Sequence, residues 1–171
     1  GASKCAAHHL VKVYRDSYDM YAVHGVLFNH EGTKRGEEFV TRKITKGVAR
    51  IWHELKSSDS WRERHGQPAE FAPIELGNLD SKRDWSDSED FVEGVWLMLN
   101  QDNPKDYLLA SGETHSIRDF VEGAFEAAGL SGEWSGDGVD EKYTSHAGAH
   151  AHVLVKVNPD FYRPAEVEVL L

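Results

Sequence analysis

The stretch MYAVHGVLF, at residues 20–28, decides the class of fold. It is rich in aromatic and β-branched residues, which predicts a mostly buried strand. The polar residues Asn29-His30-Glu31-Gly32 follow, and we interpret them as a loop at the carboxyl end of that strand. Ligands bind at this edge of open α/β sheets. The sequence therefore directs the search for a binding site to residues 29–32.

Helical patterns alternate with short strand patterns over the rest of the chain. Apolar residues recur at helical spacing over residues 4–18, 39–55, 90–99 and 116–128. Ser116 is the predicted cap of the last helix, and Gly129 its stop. Further strands are predicted at 74–76, 107–110 and 153–157, a polar loop at 56–72 and a turn-rich stretch at 132–138. This alternation predicts an α/β protein.

The helix predicted at 90–99 should bury one apolar side. That side is predicted to consist of Phe91, Val92, Val95, Trp96 and Leu99. On the first helix, Cys5 is predicted to be a small packed residue.

Composition excludes several functional classes. The 171 residues include 19 basic and 29 acidic side chains, a formal net charge of −10. Without a basic tract, this charge argues against nucleic-acid binding as the main role. No apolar run approaches the roughly 18 residues that a membrane span needs. The single cysteine, Cys5, excludes an internal disulfide framework and favours a reducing compartment, from which we expect a cytoplasmic protein.

The start of the chain predicts that residues are missing. The first residue is Gly1 rather than Met, and it leads directly into a helical pattern without a capping residue. We therefore expect this chain to be a portion of a longer protein.

Lys4 lies on the first predicted helix. A lysine four residues after a tyrosine shares its helix face, and the ammonium then lowers the pKa of the phenol enough to make it a usable base. The tyrosine position would fall just before Gly1. By itself, Lys4 has the simpler interpretation of an exposed helix lysine.

Residues 29–36 combine side chains that suit an anionic or hydroxyl-rich ligand. Asn29 supplies an amide, His30 an imidazole, and Lys34 and Arg35 two cations. The alternative is a polar loop whose side chains satisfy their own backbone.

The stretch LGNLDSKRDW, at residues 76–85, is a candidate diphosphate site. Gly77 would let a ligand approach the backbone, Arg83 would clamp a diphosphate, and Asp84 would orient the arginine. The alternative is a turn with surface ion pairs, which would contribute little energy.

The stretch YRPAE, at residues 162–166, offers a second cation. Arg163 would form another phosphate contact, and Glu166 would accept hydrogen bonds from ribose hydroxyls or a guanine edge. The alternative is a helix start with proline in its first turn.

Two other patterns carry little chemistry. His146, His150 and His152 have no Cys or acidic partner at ligand spacing, so we expect a loop and no metal. The chain also lacks the GxGxxG fingerprint of a dinucleotide cradle and the GxSxG motif of a nucleophile elbow.

Taken together, these segments resemble the GDP-mannose 4,6-dehydratase family, an extended short-chain dehydrogenase/reductase. The resemblance lies in GASK at 1–4, LFNHE at 27–31, KRG at 34–36, FVTRKI at 39–44, LGNLDSKRDW at 76–85, ASGE at 110–113 and YRPAEV at 162–167. These stretches follow the family's order over nearly the whole chain.

The resemblance implies the carboxyl-terminal part of an extended SDR, an NAD(P)-binding Rossmann fold with a substrate-binding domain. Residues 1–30 and 86–112 would be the last elements of the Rossmann layer. Residues 31–85 and 113–171 would form the sugar-nucleotide-binding domain. The family's glycine-rich cofactor loop and its catalytic threonine, glutamate and tyrosine would precede Gly1, so we expect the chain to be inactive alone.

The family's reaction is the NADP-dependent conversion of GDP-mannose to GDP-4-keto-6-deoxymannose, a hydro-lyase step toward GDP-fucose and other deoxyhexoses. C4 is oxidised by hydride transfer, water is eliminated across C5–C6, and the hydride returns at C6. The resemblance makes Lys4 the catalytic lysine and implies a homodimer or homotetramer. It places Lys4, His30 and Arg35 at NADP, with Arg35 reaching a neighbouring subunit's cofactor. The residues that it places around GDP-mannose are Asn29, Lys43, Gly77, Arg83, Arg163 and Glu166.

Two alternatives stay open at this point. One is a related GDP-sugar reductase or epimerase of the same superfamily. The other is a non-catalytic sugar-nucleotide-binding module. The sequence upstream of Gly1 would separate the enzymes from the module.

Overall fold

The computed structural model describes residues 1–58, 69–147, 150–162 and 169–170. The chain forms two compact units. The first contains residues 1–34 and 84–114, and the second contains residues 35–83 and 115–170. That the first is a Rossmann layer and the second a sugar-nucleotide domain stays a prediction.

In the described residues, each helix is followed by two to four strands. The helices are α1 (Ala2–Tyr18), α2 (Val40–Ser58), α3 (Ser88–Leu99) and α4 (Ile117–Ala127), with 3-10 turns at Gly138–Asp140 and Pro159–Phe161. The strands are β1 (His24–Leu27), β2 (Asn29–Glu31), β3 (Ile74–Leu76), β4 (Lys82–Arg83), β5 (Trp85–Asp87), β6 (Asp106–Leu109), β7 (His115–Ser116), β8 (Glu133–Ser135), β9 (Lys142–Ala147), β10 (His150–Val157) and β11 (Val169–Leu170). The predicted α/β class is confirmed.

The first unit contains two parallel strand pairs. Strand β1 pairs with β6, and β2 pairs with β5 in the register Asn29↔Trp85. The polar stretch 29–31 is therefore a strand, and its prediction as a loop was wrong. Polar side chains misled the prediction because strand pairing is made by backbone groups, whatever the side chains are.

Helix α3 buries one residue of its predicted apolar side, Phe91, together with Met98, which the prediction left out. Phe91 and Met98 are buried, whereas Val92, Trp96 and Leu99 are 70%, 63% and 54% exposed. Gly94 lies between the two buried residues in the sequence, and a Cβ there would come within 3.0 Å of Leu109 in β6. The strand packs on this face because glycine leaves room for it. Because α3 carries apolar residues on both sides, the sequence pattern alone could not indicate which side is buried.

Other apolar groups of the first unit are also exposed. In β1, predicted to be mostly buried, Val26 is 46% and Leu27 is 38% exposed. Helix α1 buries none of its residues, and Cys5, predicted to be packed, is exposed. The helix is tied down by Arg15, which pairs with Asp106 at 2.7 Å and donates to the carbonyl of Ala22 at 2.7 Å.

The second unit is built on a four-stranded sheet with the order β3-β10-β9-β8. Strand β3 runs parallel to β10, and the other neighbours are antiparallel. Its fully buried core residues come from α2, α4 and β10; they are Ile44, Ile51, Val121, Phe125, Leu154 and Val155. Strands β11, β4 and β7 form a smaller sheet in the same unit.

Local signals in the second unit were partly recognised. Ser116 and Asp119 form a capping box at α4, with backbone-to-side-chain distances of 3.0 and 2.9 Å, and Gly129 ends the helix with φ 70°. The prediction at 132–138 was incomplete, since β8 pairs Trp134 with Tyr143 of β9. The predicted loop at 56–72 begins inside α2, and residues 59–68 lie outside the described part.

No helix in the described part of the chain combines the length and apolar character that crossing a membrane would require.

Candidate functional site

The predicted catalytic lysine lies on a helix surface. Lys4 is in the first turns of α1 and is exposed. An exposed ammonium on a regular helix can meet a ligand or a second polypeptide without rearrangement of the backbone. That Lys4 shares a helix face with a catalytic tyrosine stays a prediction.

His30 is held in one orientation within the first unit. Its Nδ1–H donates to the carbonyl of Phe28 at 2.9 Å, and its ring stacks on Phe91 with a centroid distance of 4.8 Å. Because a carbonyl only accepts, the proton is on Nδ1 and the lone pair of the neutral ring is on Nε2. His30 can therefore offer Nε2 to a ligand. Asn29, half-buried on the same strand, precedes it.

Asp84 does not orient Arg83, and that prediction was wrong. The Asp84 side chain is 1% exposed and accepts hydrogen bonds from the backbone N–H groups of Ser111 and Gly112 at 3.1 and 2.8 Å. Burial alone would raise the pKa of this carboxyl, but these hydrogen bonds outweigh it and the pKa is lowered. Asp84 ties down the 111–112 turn of the first unit.

The role of Asp84 predicts a stability effect that depends on pH. We expect Asp84→Asn to destabilise the chain by about 1–2 kcal/mol at pH 7, because the amide keeps one uncharged acceptor oxygen and turns its NH2 group toward the other backbone N–H. A lowered folded-state pKa gives stability that is present above the unfolded pKa of about 3.9 and lost as the pH falls through the folded value. Urea unfolding measures the free energy of unfolding of both proteins. The difference between variant and wild type should be present at pH 7 and smaller near pH 3. Asp90→Asn, on the exposed face of α3, is the control, and equal losses in both variants would contradict this role.

Arg83 and Arg35 are two of the predicted cations in the second unit. Arg83 is half-buried in β4 and donates to the carbonyl of Lys82 at 2.7 Å. The Arg35 guanidinium lies 3.5 Å from the ring centroid of Phe39. Phe39 is 41% exposed, so it supports this arginine and is not part of the core.

Gly77 lies against the chain's own backbone, whereas the sequence predicted that a ligand would approach it. A Cβ at this position would lie 2.6 Å from the carbonyl oxygen of Phe161. The backbone that approaches Gly77 is therefore the chain's own, one residue before Tyr162. The backbone N–H of Asn158 also donates to the carbonyl of Leu76 at 2.8 Å. The two contacts join the end of β3 to the segment that leads into residues 163–168.

This packing predicts a cost for adding one methyl group. We expect Gly77→Ala to destabilise the chain by about 1–3 kcal/mol, because backbone cannot give way as a side chain does. Gly123→Ala is the matched control: nothing lies within 4 Å of its Cβ, and it sits inside α4, where alanine should be neutral or stabilising. Urea unfolding compares the two. Equal stabilities of the variants would refute the close contact at Gly77.

A charged cleft of about 620 Å³ opens beside this junction. Its wall is formed by α2, the 72–75 segment, β10 and Phe161; the charged residues are Glu37, Lys43, Lys46, Arg50, Glu75 and Lys156. Four cations against two carboxylates make it locally basic in a chain of net charge −10. A volume of this size suits a small organic ligand.

Lys43 is the predicted substrate residue that the cleft contains. Its ammonium lies 4.0 Å from the ring centroid of Phe161. Burial lowers the pKa of Lys43, partly offset by the negative charge of Glu75. Lys43 and Gly77 thus both contact Phe161, and the structure brings these two predicted residues together.

Several cleft residues were missed by the sequence predictions, and three of them matter most for the chemistry of the cleft. Glu75, Lys156 and Phe161 line the cleft, and Asn158 donates to Glu75 beside it. The sequence contained one indication of the Glu75–Lys156 pair. Each of the two predicted strands, 74–76 and 153–157, carries one charged residue, and the two charges have opposite sign. This indication became decisive only with the register Lys156↔Glu75.

Two of the predicted substrate residues fall near the end of the chain. Arg163 and Glu166 lie outside the described residues.

The histidines predicted to lie in a loop are instead in strands: His146 in β9, His150 and His152 in β10. His152 is buried and stacks on Phe71, and burial lowers its pKa. Among the described residues, no group of three His, Cys, Asp or Glu could hold a metal ion.

Comparison with known families gives a match over the whole chain. A family model described as GDP-mannose 4,6 dehydratase matches residues 1–171. A GDP-mannose 4,6 dehydratase of Drosophila melanogaster is 46% identical over 157 residues, covering 92% of this chain and 35% of the relative. One from Homo sapiens is 42% identical over 170 residues, covering 99% of this chain and 41% of the relative. The chain thus spans less than half the length of these relatives, matching a carboxyl-terminal portion of each.

Solved structures share the fold at low sequence identity. The UDP-glucose 4-epimerase of Thermus thermophilus, in complex with NAD, superposes with a TM-score of 0.62 at 22% identity, over 98% of this chain and 43% of that one. RMD from Pseudomonas aeruginosa, complexed with NADPH, has a TM-score of 0.62 at 19% identity, over 92% and 42%. The likeness confirms the predicted fold as a portion of the fold that these NAD- and NADPH-bound structures have.

Proposed function

The chain belongs to the GDP-mannose 4,6-dehydratase family, and on this premise we propose that it is the carboxyl-terminal part of a hydro-lyase that converts GDP-mannose to GDP-4-keto-6-deoxymannose and water. The structural observation that carries the proposal is the basic cleft at Lys43, closed by Phe161 against Gly77. An anionic sugar nucleotide matches its charge. The product would feed GDP-fucose and other deoxyhexose synthesis.

Further substrate contacts are assigned to the residues that the family resemblance selects. Lys43 lies at its wall, and Gly77 holds the backbone of residue 161 in place. Arg83 and Arg163 supply guanidinium groups for the diphosphate, because planar forks match phosphate oxygens in pairs. Asn29 and Glu166 hydrogen-bond the sugar hydroxyls. The complete substrate set is Asn29, Lys43, Gly77, Arg83, Arg163 and Glu166.

The donors of the chain fit part of an NADP site. His30 has a fixed ring with Nε2 available, Lys4 is an exposed cation, and Arg35 is a guanidinium steadied by Phe39. Imidazole, ammonium and guanidinium groups are the side chains that bind phosphates and ribose. The chemistry that NADP supplies when bound is reversible storage of a hydride. The family's glycine-rich cradle is not among these residues, so they hold only part of the cofactor.

Lys4 acts on a proton rather than on the hydride. Its ammonium, on the same helix face as a tyrosine four residues earlier, stabilises the phenolate and lowers the pKa of that phenol. The phenolate then takes the proton of the C4 hydroxyl. We assign the elimination itself to the threonine and glutamate that the family supplies.

The exposed apolar surface of the first unit supports a larger assembly. Leu10, Val13 and Tyr14 of α1 are each about half exposed, and Leu108 of β6 is 62% exposed. Apolar surfaces of this kind are usually covered by protein. We assign their cover to the rest of the Rossmann layer and to other subunits of a cytoplasmic homodimer or homotetramer. If the assembly is the homotetramer, Arg35 reaches a neighbouring subunit's cofactor.

An assay of the full-length protein with GDP-mannose and NADP tests the function. The expected product carries a methyl group at C6, visible as a new doublet by proton NMR. A product that keeps its C6 oxygen would replace the dehydratase with a reductase or epimerase, and binding without turnover would leave a sugar-nucleotide-binding module. Residues 1–171 alone should give no product.

A further inference from the structure

Glu75 is a carboxylate held in one orientation at the wall of the cleft. It lies on β3 directly opposite Lys156 of β10. The Lys156 ammonium pairs with one carboxylate oxygen at 2.8 Å, and the Asn158 amide donates to the other at 2.9 Å. Each oxygen keeps a lone pair for a further donor. Two neighbours thus fix the plane of the group without using its full acceptor capacity.

The same contacts keep Glu75 ionised at neutral pH. The hydrogen bond from Lys156, followed by the one from Asn158, lowers the pKa of this carboxyl against a smaller opposing effect of burial. Its side chain is 37% exposed, so a ligand can reach it. An ionised carboxylate is an acceptor only, so it selects ligand groups that present N–H or O–H donors.

The surroundings of Glu75 add a donor and an aromatic ring. Lys43 is near enough for its charge and that of Glu75 to affect each other's pKa, and it lies over the Phe161 ring. Lys43, Glu75 and Phe161 all line the same cleft, which has a volume of about 620 Å³. An acceptor, a donor and an apolar ring together describe a pocket for a planar heterocycle whose edge carries both donors and an acceptor.

Guanine has such an edge. Its N1–H and 2-amino groups are adjacent donors, and O6 beside them is an acceptor. Adenine would turn the lone pair of N1 toward the carboxylate, and hypoxanthine lacks the 2-amino donor. A carboxylate that meets an unmatched base loses a hydrogen bond or faces a lone pair, which is how buried polar groups discriminate.

Resting on the proposed function, we propose that Glu75 recognises the guanine base of the substrate by accepting hydrogen bonds from N1–H and the 2-amino group, with Lys43 donating to O6. Lys156 and Asn158 are positioning residues that orient the carboxylate. Glu75 therefore sets the base specificity of the site.

The test compares two nucleotides that differ by one amino group. Calorimetry on the full-length enzyme measures the Kd of GDP and of IDP for the wild type and for Glu75→Gln. We expect the wild type to prefer GDP by about tenfold or more, the value of a hydrogen bond to a charged group. In Glu75→Gln the preference should fall to within about threefold. KM for GDP-mannose should rise while kcat stays near the wild-type value.

Glu37→Gln is the matched control. Glu37 lines the same cleft and pairs with Lys46 at 2.5 Å, so Glu37→Gln removes one negative charge from the cleft without touching Glu75. This variant should keep the wild-type preference for GDP. Lys156→Met, which frees one side of the carboxylate, should give an intermediate preference, and it stands in for Glu75→Gln if that variant does not fold.

Three outcomes would overturn the assignment. Equal wild-type affinity for GDP and IDP, an unchanged preference in Glu75→Gln, or an equal loss in Glu37→Gln would each show that the carboxylate does not recognise the base. These outcomes differ from failure of the proposed function, because a protein that dehydrates GDP-mannose and keeps its preference in Glu75→Gln refutes only the role of Glu75. A protein without dehydratase turnover refutes the function itself.

Discussion

Replacing Lys4 with Met is expected to lower kcat of the full-length enzyme by about 10²–10⁴-fold, the usual contribution of a positioned acid–base system. Lys4 is exposed on α1, so the change removes the ammonium without opening a cavity. Steady-state kinetics at saturating NADP measure the loss. The Kd of GDP should stay within about twofold of wild type, because the charge acts at the reacting hydroxyl and not at the nucleotide.

Lys12→Met is the matched control for this prediction. Lys12 is on the same helix, two turns further on, and carries the same charge. It should keep wild-type turnover. If Lys4→Met retained full kcat, or if Lys12→Met lost as much, the ammonium of Lys4 would have no part in the reaction.

Arg83→Ala should weaken binding of GDP-mannose by about 2 kcal/mol or more, close to 30-fold in Kd. The guanidinium in β4 is half-buried, where a phosphate contact is less screened than at an open surface. Calorimetry with GDP-mannose and with GDP measures the loss, which should be similar for both ligands because both carry the diphosphate.

Lys82→Ala serves as the control for Arg83→Ala. Lys82 precedes it on the same strand, is exposed, and alternates to the other face of the sheet. It should bind GDP-mannose as the wild type does. An Arg83→Ala variant with unchanged affinity would remove Arg83 from the substrate site.

Features that depend on local chemistry were predictable from the sequence. Ser116 followed by Asp119 gives a capping box, and Gly129 supplies the left-handed residue after the helix. Both depend on a few consecutive residues, so no tertiary information is needed. The amphipathic pattern of α2 likewise predicted its buried Ile44 and Ile51.

Features that depend on contacts between distant parts of the chain were not predictable from the sequence in the same way. The backbone pairing of residues 29–31 with β5 leaves no pattern in their side chains. Which side of α3 is buried depends on the room that Gly94 leaves for Leu109. Asp84 was assigned to its neighbour in sequence, whereas its partners lie at residues 111–112.

The candidate site shows the same division. Lys43 and Gly77 were identified through resemblance to the family, and the structure adds what joins them, the side chain and backbone of Phe161. Glu75 and Lys156 required the parallel register of β3 and β10. The predicted residues define the type of ligand, and the structure proposes how its base is chosen.

The most direct test of the proposed dehydratase follows the hydrogen atom at C4. The full-length enzyme is supplied with GDP-mannose that carries deuterium at C4, and the product is analysed by NMR and mass spectrometry. Internal transfer of this hydride predicts a 4-keto product with the deuterium in the C6 methyl group. A product that retains its C6 oxygen, or that has lost the deuterium to free NADPH, would contradict the proposed function.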